Sequence, residues 1–153
     1  MNESEQNEWL GSFLTDMDIG RLESVSVSVT PNRSLGLIEL LESWQNHVLR
    51  IEAETGLPDS NRTVWVAYDL IAALALRSLV HRGMKKAESD YLEGFMRALD
   101  DVDSRFIQFT ENDEPGIVRH LDDGGRSDDE WWWDRVPQLG PIRRDIDRIN
   151  LSS

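Results

Sequence analysis

"LIELLESWQNHVLRI", residues 37–51, decides the fold. Its large apolar residues Leu37, Leu41, Trp44, Val48 and Ile51 stand four, three, four and three positions apart. That spacing keeps one stripe of an α-helix turned toward a neighbour. Thr30 with Pro31, or Ser34, is placed to open this helix, and Gly56 with Pro58 to close it. Proline suits a first helical turn, and glycine suits the residue just past the last one. Downstream, a second helix is expected from about Asp59–Ser60 to Gly83, with Arg77, His81 and Arg82 near its carbonyl end, where the helix dipole favours cations. Its stretch "VWVAYDLIAALAL" (64–76) is apolar around most of the circumference and is interrupted only by Asp69, so it reads as the central, most buried helix. A third helix is expected from about Lys86 to Thr110, with Tyr91, Phe95, Leu99, Val102, Phe106 and Phe109 inward and an acidic face outward.

Around these three the flanks are shorter. Trp9, Leu10, Phe13, Leu14 and Met17 recur at helical spacing and predict a helix over roughly 5–18. In "ESVSVSVT" (23–30) Val25, Val27 and Val29 alternate with serines, the pattern of a half-buried strand. A lone strand leaves backbone groups unpaired, so the segment is expected as an extended arm on the helices, with pairing to a second copy as the alternative. At the other end "DDGGRSDD" (122–129) reads as an exposed link, and "DDEWWWDRV" (128–136) as a short helix. Ser127 and Glu130 have the spacing of a capping box. Successive helical residues differ by about 100°, so three tryptophans fan over about 200° and cannot all face one core. Trp132 and Trp133, on the side of Val136, are expected inward, and Trp131 outward, one turn from Arg135. "GPIRRDIDRINL" (140–151) lines up Ile142, Ile146 and Ile149 as a last docking helix. The expected fold class is all-α: a helical bundle of three long antiparallel helices, short N- and C-terminal helices and one extended arm. It forms a single domain over 1–153, with 1–30 as N-terminal helix and arm and 122–153 as a Trp-rich lid.

Charge narrows the function. The net charge is −13, and it is segregated along the chain. Residues 1–18 hold five acids and no base, 86–114 nine acids against three bases, and 122–134 six acids with Arg126, whereas 19–85 is balanced. Such a field repels nucleic acid and attracts basic partners. No cysteine is present, which excludes disulfides, thiolate metal sites and cysteine nucleophiles. The start of the chain has no basic n-region or apolar h-region, and the longest apolar run is too short to span a bilayer; a cytoplasmic protein without membrane attachment is expected. No phosphate loop, GxSxG or HExxH occurs, and His47, His81 and His120 fall on separate segments. Neither a cofactor nor a metal site is therefore expected.

The resulting expectation is a small acidic protein that acts by protein–protein contact, as a regulator, inhibitor or immunity-type partner of a basic protein. Trp131, Arg135, Asp100, Asp101 and Asp103 are its candidate binding residues. Two alternatives stand beside it: a metal-dependent helix-bundle enzyme using the histidines, and a structural homodimer built through Val25–Val29 or the helix seams.

Overall fold

The computed structural model describes residues 1–122 and 124–152. Its elements, in chain order, are α1 (Glu3–Gly11), α2 (Asp16–Glu23), β1 (Ser26–Thr30), β2 (Arg33–Gly36), α3 (Leu37–Glu54), α4 (Ala67–Lys86), a 3-10 turn at Ser89–Tyr91, α5 (Leu92–Phe109), β3 (Thr110–Asn112), α6 (Ile117–Leu121), a 3-10 turn at Trp131–Asp134, β4 (Arg135–Pro137) and α7 (Pro141–Ser152). The protein is mostly helical but not all-α: among the described residues, two small antiparallel sheets accompany the helices, β1 with β2 and β3 with β4. Two compact units emerge, one of Met1–His47 with Leu76–Ser104 and the other of Val48–Ala75 with Arg105–Ser153. Helices α3, α4 and α5 each give one part to either unit.

In the first unit the valine–serine stretch is not a lone arm. It folds back on itself through Pro31 and Asn32, pairing Ser26 with Gly36, Val27 with Leu35 and Ser28 with Ser34. Proline pre-sets the backbone for the first corner of such a turn. The hairpin uses the residues expected to open α3, so that helix starts at Leu37. Val27, the inward residue of β1, is fully buried. Space for it comes from Gly83, where a Cβ would lie 2.9 Å from Val27 Cγ2 and 2.7 Å from Leu37 Cδ1. Gly83 is therefore a contact glycine inside α4, not its stop, and the helix continues to Lys86.

The N-terminal helix is broken in two. Thr15 caps α2 through its side chain, which accepts the Asp18 N–H at 3.1 Å, a preference that ends α1 early. α1 and the residues after it meet α5, and α2 meets the turn at Ser89–Tyr91. Trp9 reaches Asp101, the Phe13 carbonyl oxygen sits 2.5 Å from where a Gly94 Cβ would be, and Arg21 stacks on Tyr91 at 5.6 Å.

A buried polar cluster ties the three long helices together in this unit. Arg77 of α4 donates to Asp103 of α5 through Nε at 3.0 Å and through its terminal nitrogen at 2.9 Å, while the Trp44 indole of α3 donates to the same carboxylate at 3.0 Å. Arg77 is 5% exposed, Asp103 7% and Trp44 not at all. Burial pushes the Asp103 carboxyl above its ordinary value, and the Arg77 bonds and charge and the Trp44 indole pull it back.

In the second unit Asp69 does not interrupt a helix but begins one. Its Oδ2 accepts the Val66 N–H at 2.8 Å, and Asp145 of α7 takes the Ala67 N–H at 2.8 Å. The first N–H groups of a helix have no intrahelical acceptor, so these carboxylates place the start at Ala67. At the far end of α5, Arg135 donates to the carbonyls of Ile107 and Thr110 at 3.1 and 2.8 Å. It thereby satisfies orphan acceptors at that terminus.

The tryptophan segment departs from the expected α-helix. Glu130 Oε2 does accept the Ser127 N–H at 2.7 Å, one half of a capping box. The chain then makes only a single 3-10 turn over Trp131–Asp134 before it enters β4. Pairing of Arg135, Val136 and Pro137 with Asn112, Glu111 and Thr110 supplies the reason: the ladder extends the chain before a second helical turn can form. Trp132 and Trp133 are buried at 1% and 0% exposure, and Trp131 is half-buried. Arg119 holds the preceding loop by bonds to Asp134 and to the carbonyls of Ser127 and Glu130, and Arg126 lies 4.6 Å above the Trp133 ring. Of the link expected over 122–129, Asp123 lies outside the described residues.

Candidate functional site

Ion pairing separates the two units. In the second, Arg50, Arg105, Arg119, Arg126, Arg143, Arg144 and Arg148 all bond to carboxylates. In the first, among the described residues, Arg77 is the arginine that pairs, through its buried contact with Asp103, although this unit carries fourteen acids against seven bases. Among the described residues, the remaining carboxylates of α1, α2 and α5 have no cationic nitrogen within 4 Å. An excess of unneutralised surface charge remains.

The relief of that surface comes from α1 and α5. Trp9, half-buried, donates its indole N–H to Asp101 Oδ2 at 2.8 Å and meets Phe13 edge-on at 5.6 Å. Glu5 and Glu8 flank Trp9 on α1, and Asp100 precedes Asp101 on α5; all four acids are exposed. A second concentration lies at the start of α3. There burial first, then the negative charges of Glu23, Glu39 and Glu3, raise the carboxyl of Glu42. Like charges gathered this way are tolerated when water or a cationic ligand screens them.

The expected binding residues do not form one group. Asp100 and Asp101 lie together on exposed turns of α5. Asp103, two positions on, points the other way, because it shares a helical face with Leu99 and Phe106. Trp131 and Arg135 belong to the second unit, with Trp131 edge-on to Trp132 at 5.7 Å and Arg135 bound to the end of α5. Trp9, Glu5 and Glu8 do not stand out in the sequence: Trp9 is indistinguishable there from a core residue of an amphipathic helix. The available hint is the run of five acids without a base.

Exposed carboxylates around an aromatic ring can do one kind of chemistry well, which is to receive ammonium or guanidinium groups. Each exposed pair is worth about 0–1 kcal/mol, yet together they steer a basic partner and raise its on-rate. Among the described residues no three His, Asp or Glu side chains gather where a metal could be held, and no helix is long and apolar enough to cross a membrane. The chain matches no protein family, no curated protein and no solved structure.

Proposed function

We propose that this chain acts by contact with a basic protein, as a small acidic regulator, inhibitor or immunity-type partner. The first unit carries the docking face, with α3, α4 and α5 as an antiparallel bundle behind it. One observation supports this reading above all. Seven of the nine arginines of the second unit are taken up by carboxylates within the chain, while among the described residues the exposed carboxylates of α1, α2 and α5 have no counter-ion. Acids exceed bases by a similar amount in both units, seven and six, so what distinguishes the first is that its surface carboxylates stand apart from its cations.

The test compares the wild type with a Glu5→Lys, Glu8→Lys, Asp100→Lys variant as bait in an extract of the encoding organism, at low and high salt. Asp101 is left in place because it holds Trp9. Basic proteins retained by the wild type, released by salt and lost by the variant are the expected result. Identical retention by both baits would refute it.

A further inference from the structure

We infer that the outward face of α4 is an interface at which a second copy of this chain packs, helix against antiparallel helix. This goes beyond the proposed docking face and does not depend on it, because the acids of α1, α2 and α5 take no part. Between Ala67 and Val80, charge is carried by Asp69 and Arg77 alone. A helix apolar around most of its circumference is ordinarily covered on every side. Here one side is covered: Leu70, Ala73, Leu74, Arg77 and Val80 are all at most 5% exposed. The other side is not. Tyr68 is 66% exposed, Ala72 is exposed, and Ile71, Ala75, Leu76 and Leu79 are half-buried. Tyr68, Ala72, Ala75 and Leu79 stand four, three and four positions apart on one unbroken helix. That is the spacing of a seam, the same that α3 uses for its buried stripe.

Charge at the two ends of the stripe selects the occupant. Asp69 accepts the Val66 N–H and forms no ion pair among the described residues. Arg82 is exposed and equally without one. The helix rises about 20 Å between them, so the two cannot meet within one copy. An antiparallel second copy, with its twofold axis between Ala75 and Leu76, brings Asp69 of each level with Arg82 of the other. The Tyr68 ring then lies beside that guanidinium, a favourable cation–π placement that Arg21 and Tyr91 already adopt within the chain at 5.6 Å. A twofold contact requires one self-complementary patch, and this face supplies it. The net charge of −13 makes two copies repel over much of their surface, whereas this pairing sets no acid against an acid. A basic partner would instead meet Arg82, Lys85 and Lys86 as like charges. One helix face about 18 Å long falls short of the roughly 800 Å² per partner of a stable interface, so the dimer is expected to dissociate on dilution.

Sedimentation velocity of the full chain from about 10 µM to about 1 mM tests the pairing. A monomer–dimer equilibrium is expected. Ala72→Glu places a carboxylate on the stripe at an exposed position and is expected to weaken dimerisation at least about tenfold, with an unchanged melting temperature. Gln108→Glu, which adds the same charge on an exposed turn of α5, is expected to leave it as in the wild type. Arg82→Glu, which sets an acid opposite Asp69, is expected to weaken it as well. Because the chain has no cysteine, introduced thiols report the orientation. Ala72→Cys mixed with Leu79→Cys is expected to give a mixed disulfide on mild oxidation, while either alone gives little, since antiparallel pairing leaves like positions about 10 Å apart along the axis. A chain that stays monomeric throughout, leaving the stripe to some other protein, overturns the inference. So does a dimer that Ala72→Glu leaves intact, or one in which each thiol links preferentially to its own copy, as parallel helices require.

Discussion

Removing the counter-charge from Arg77 is the most demanding trial of this fold. In Asp103→Ala the guanidinium, 5% exposed, keeps its charge but loses two hydrogen bonds and its carboxylate, and the Trp44 indole loses the same acceptor. Breaking a buried pair on one side costs about 3–5 kcal/mol, and an unserved indole N–H adds roughly 1 kcal/mol or more. Total stability is about 5–15 kcal/mol for a domain, so the variant stays folded in buffer but loses a large share of its margin. At roughly 2–4 °C per kcal/mol for a chain of this size, the melting temperature drops by about 8–24 °C. Arg77→Met with Asp103→Leu removes both charges and fills the space with apolar atoms, which is often neutral or stabilising. Urea unfolding of Arg77→Met, of Asp103→Leu and of the double closes a mutant cycle, with an expected coupling of about 3 kcal/mol. A single Asp103→Ala costing under about 1 kcal/mol, or a coupling near zero, would refute the view that this pair holds α3, α4 and α5 in register.

Local geometry sets three further outcomes. Glu42→Gln relieves a carboxylate raised by burial and by Glu23, Glu39 and Glu3. Because the folded state holds that proton more tightly than the unfolded chain, the group's contribution to stability falls as pH rises from about its ordinary 4.5 through the raised value. The variant is expected to melt higher than the wild type at neutral pH, with the difference vanishing on acidification; an equal or lower neutral melting temperature would contradict this. Gly94→Ala puts a methyl 2.5 Å from the Phe13 carbonyl oxygen, a backbone atom that cannot step aside, and is expected to cost about 1–3 kcal/mol in urea melts and to expose the α1–α2 segment to proteolysis. Trp132→Ala is expected to destabilise by about 3–5 kcal/mol and Trp131→Ala by clearly less, since Trp132 is 1% exposed and Trp131 half-buried. Equal losses would show that exposure does not govern the pair.

Helices are legible in the sequence wherever one apolar stripe persists for several turns. The four-three spacing from Leu37 to Ile51 marks α3, and Phe95, Leu99, Val102 and Phe106 mark α5. Boundaries are less legible because the deciding partners are remote in sequence. Asp69 looks like a fault in an apolar helix until the Val66 N–H is seen beside it, and Ala67 is fixed as the start by Asp145, 78 positions away. Gly83 looks like a stop because glycine usually ends helices; only contact with Val27 and Leu37 makes it an interior residue. The hairpin is half legible. Valine–serine alternation is plain, but its partner Arg33–Gly36 is short and carries one large apolar residue, Leu35, so the pattern of a second strand is missing. The tryptophan turn misleads differently: Ser127 and Glu130 do form a capping contact, yet the β3–β4 ladder outcompetes the helix that such a contact normally opens.

The candidate face shows why charge is harder to read than apolar pattern. Asp100, Asp101 and Asp103 are equivalent letters within four positions. On a helix they diverge by about 100° per residue, so Asp103 turns inward to Arg77, Asp101 sideways to Trp9, and Asp100 outward to solvent. Their identities are the same; their neighbours make one a structural anchor, one the holder of an aromatic ring and one an exposed surface charge. The same holds for the arginines. Fourteen of them spread through the sequence suggest a chain with cations to spare, yet in the second unit seven are bound to carboxylates. Net charge counts all of these groups alike, whereas a partner meets only those left unpaired. The salt dependence of binding should therefore track the unpaired acids of α1, α2 and α5, and charge reversal at Asp59 or Asp134, each already held by arginine, should perturb stability instead.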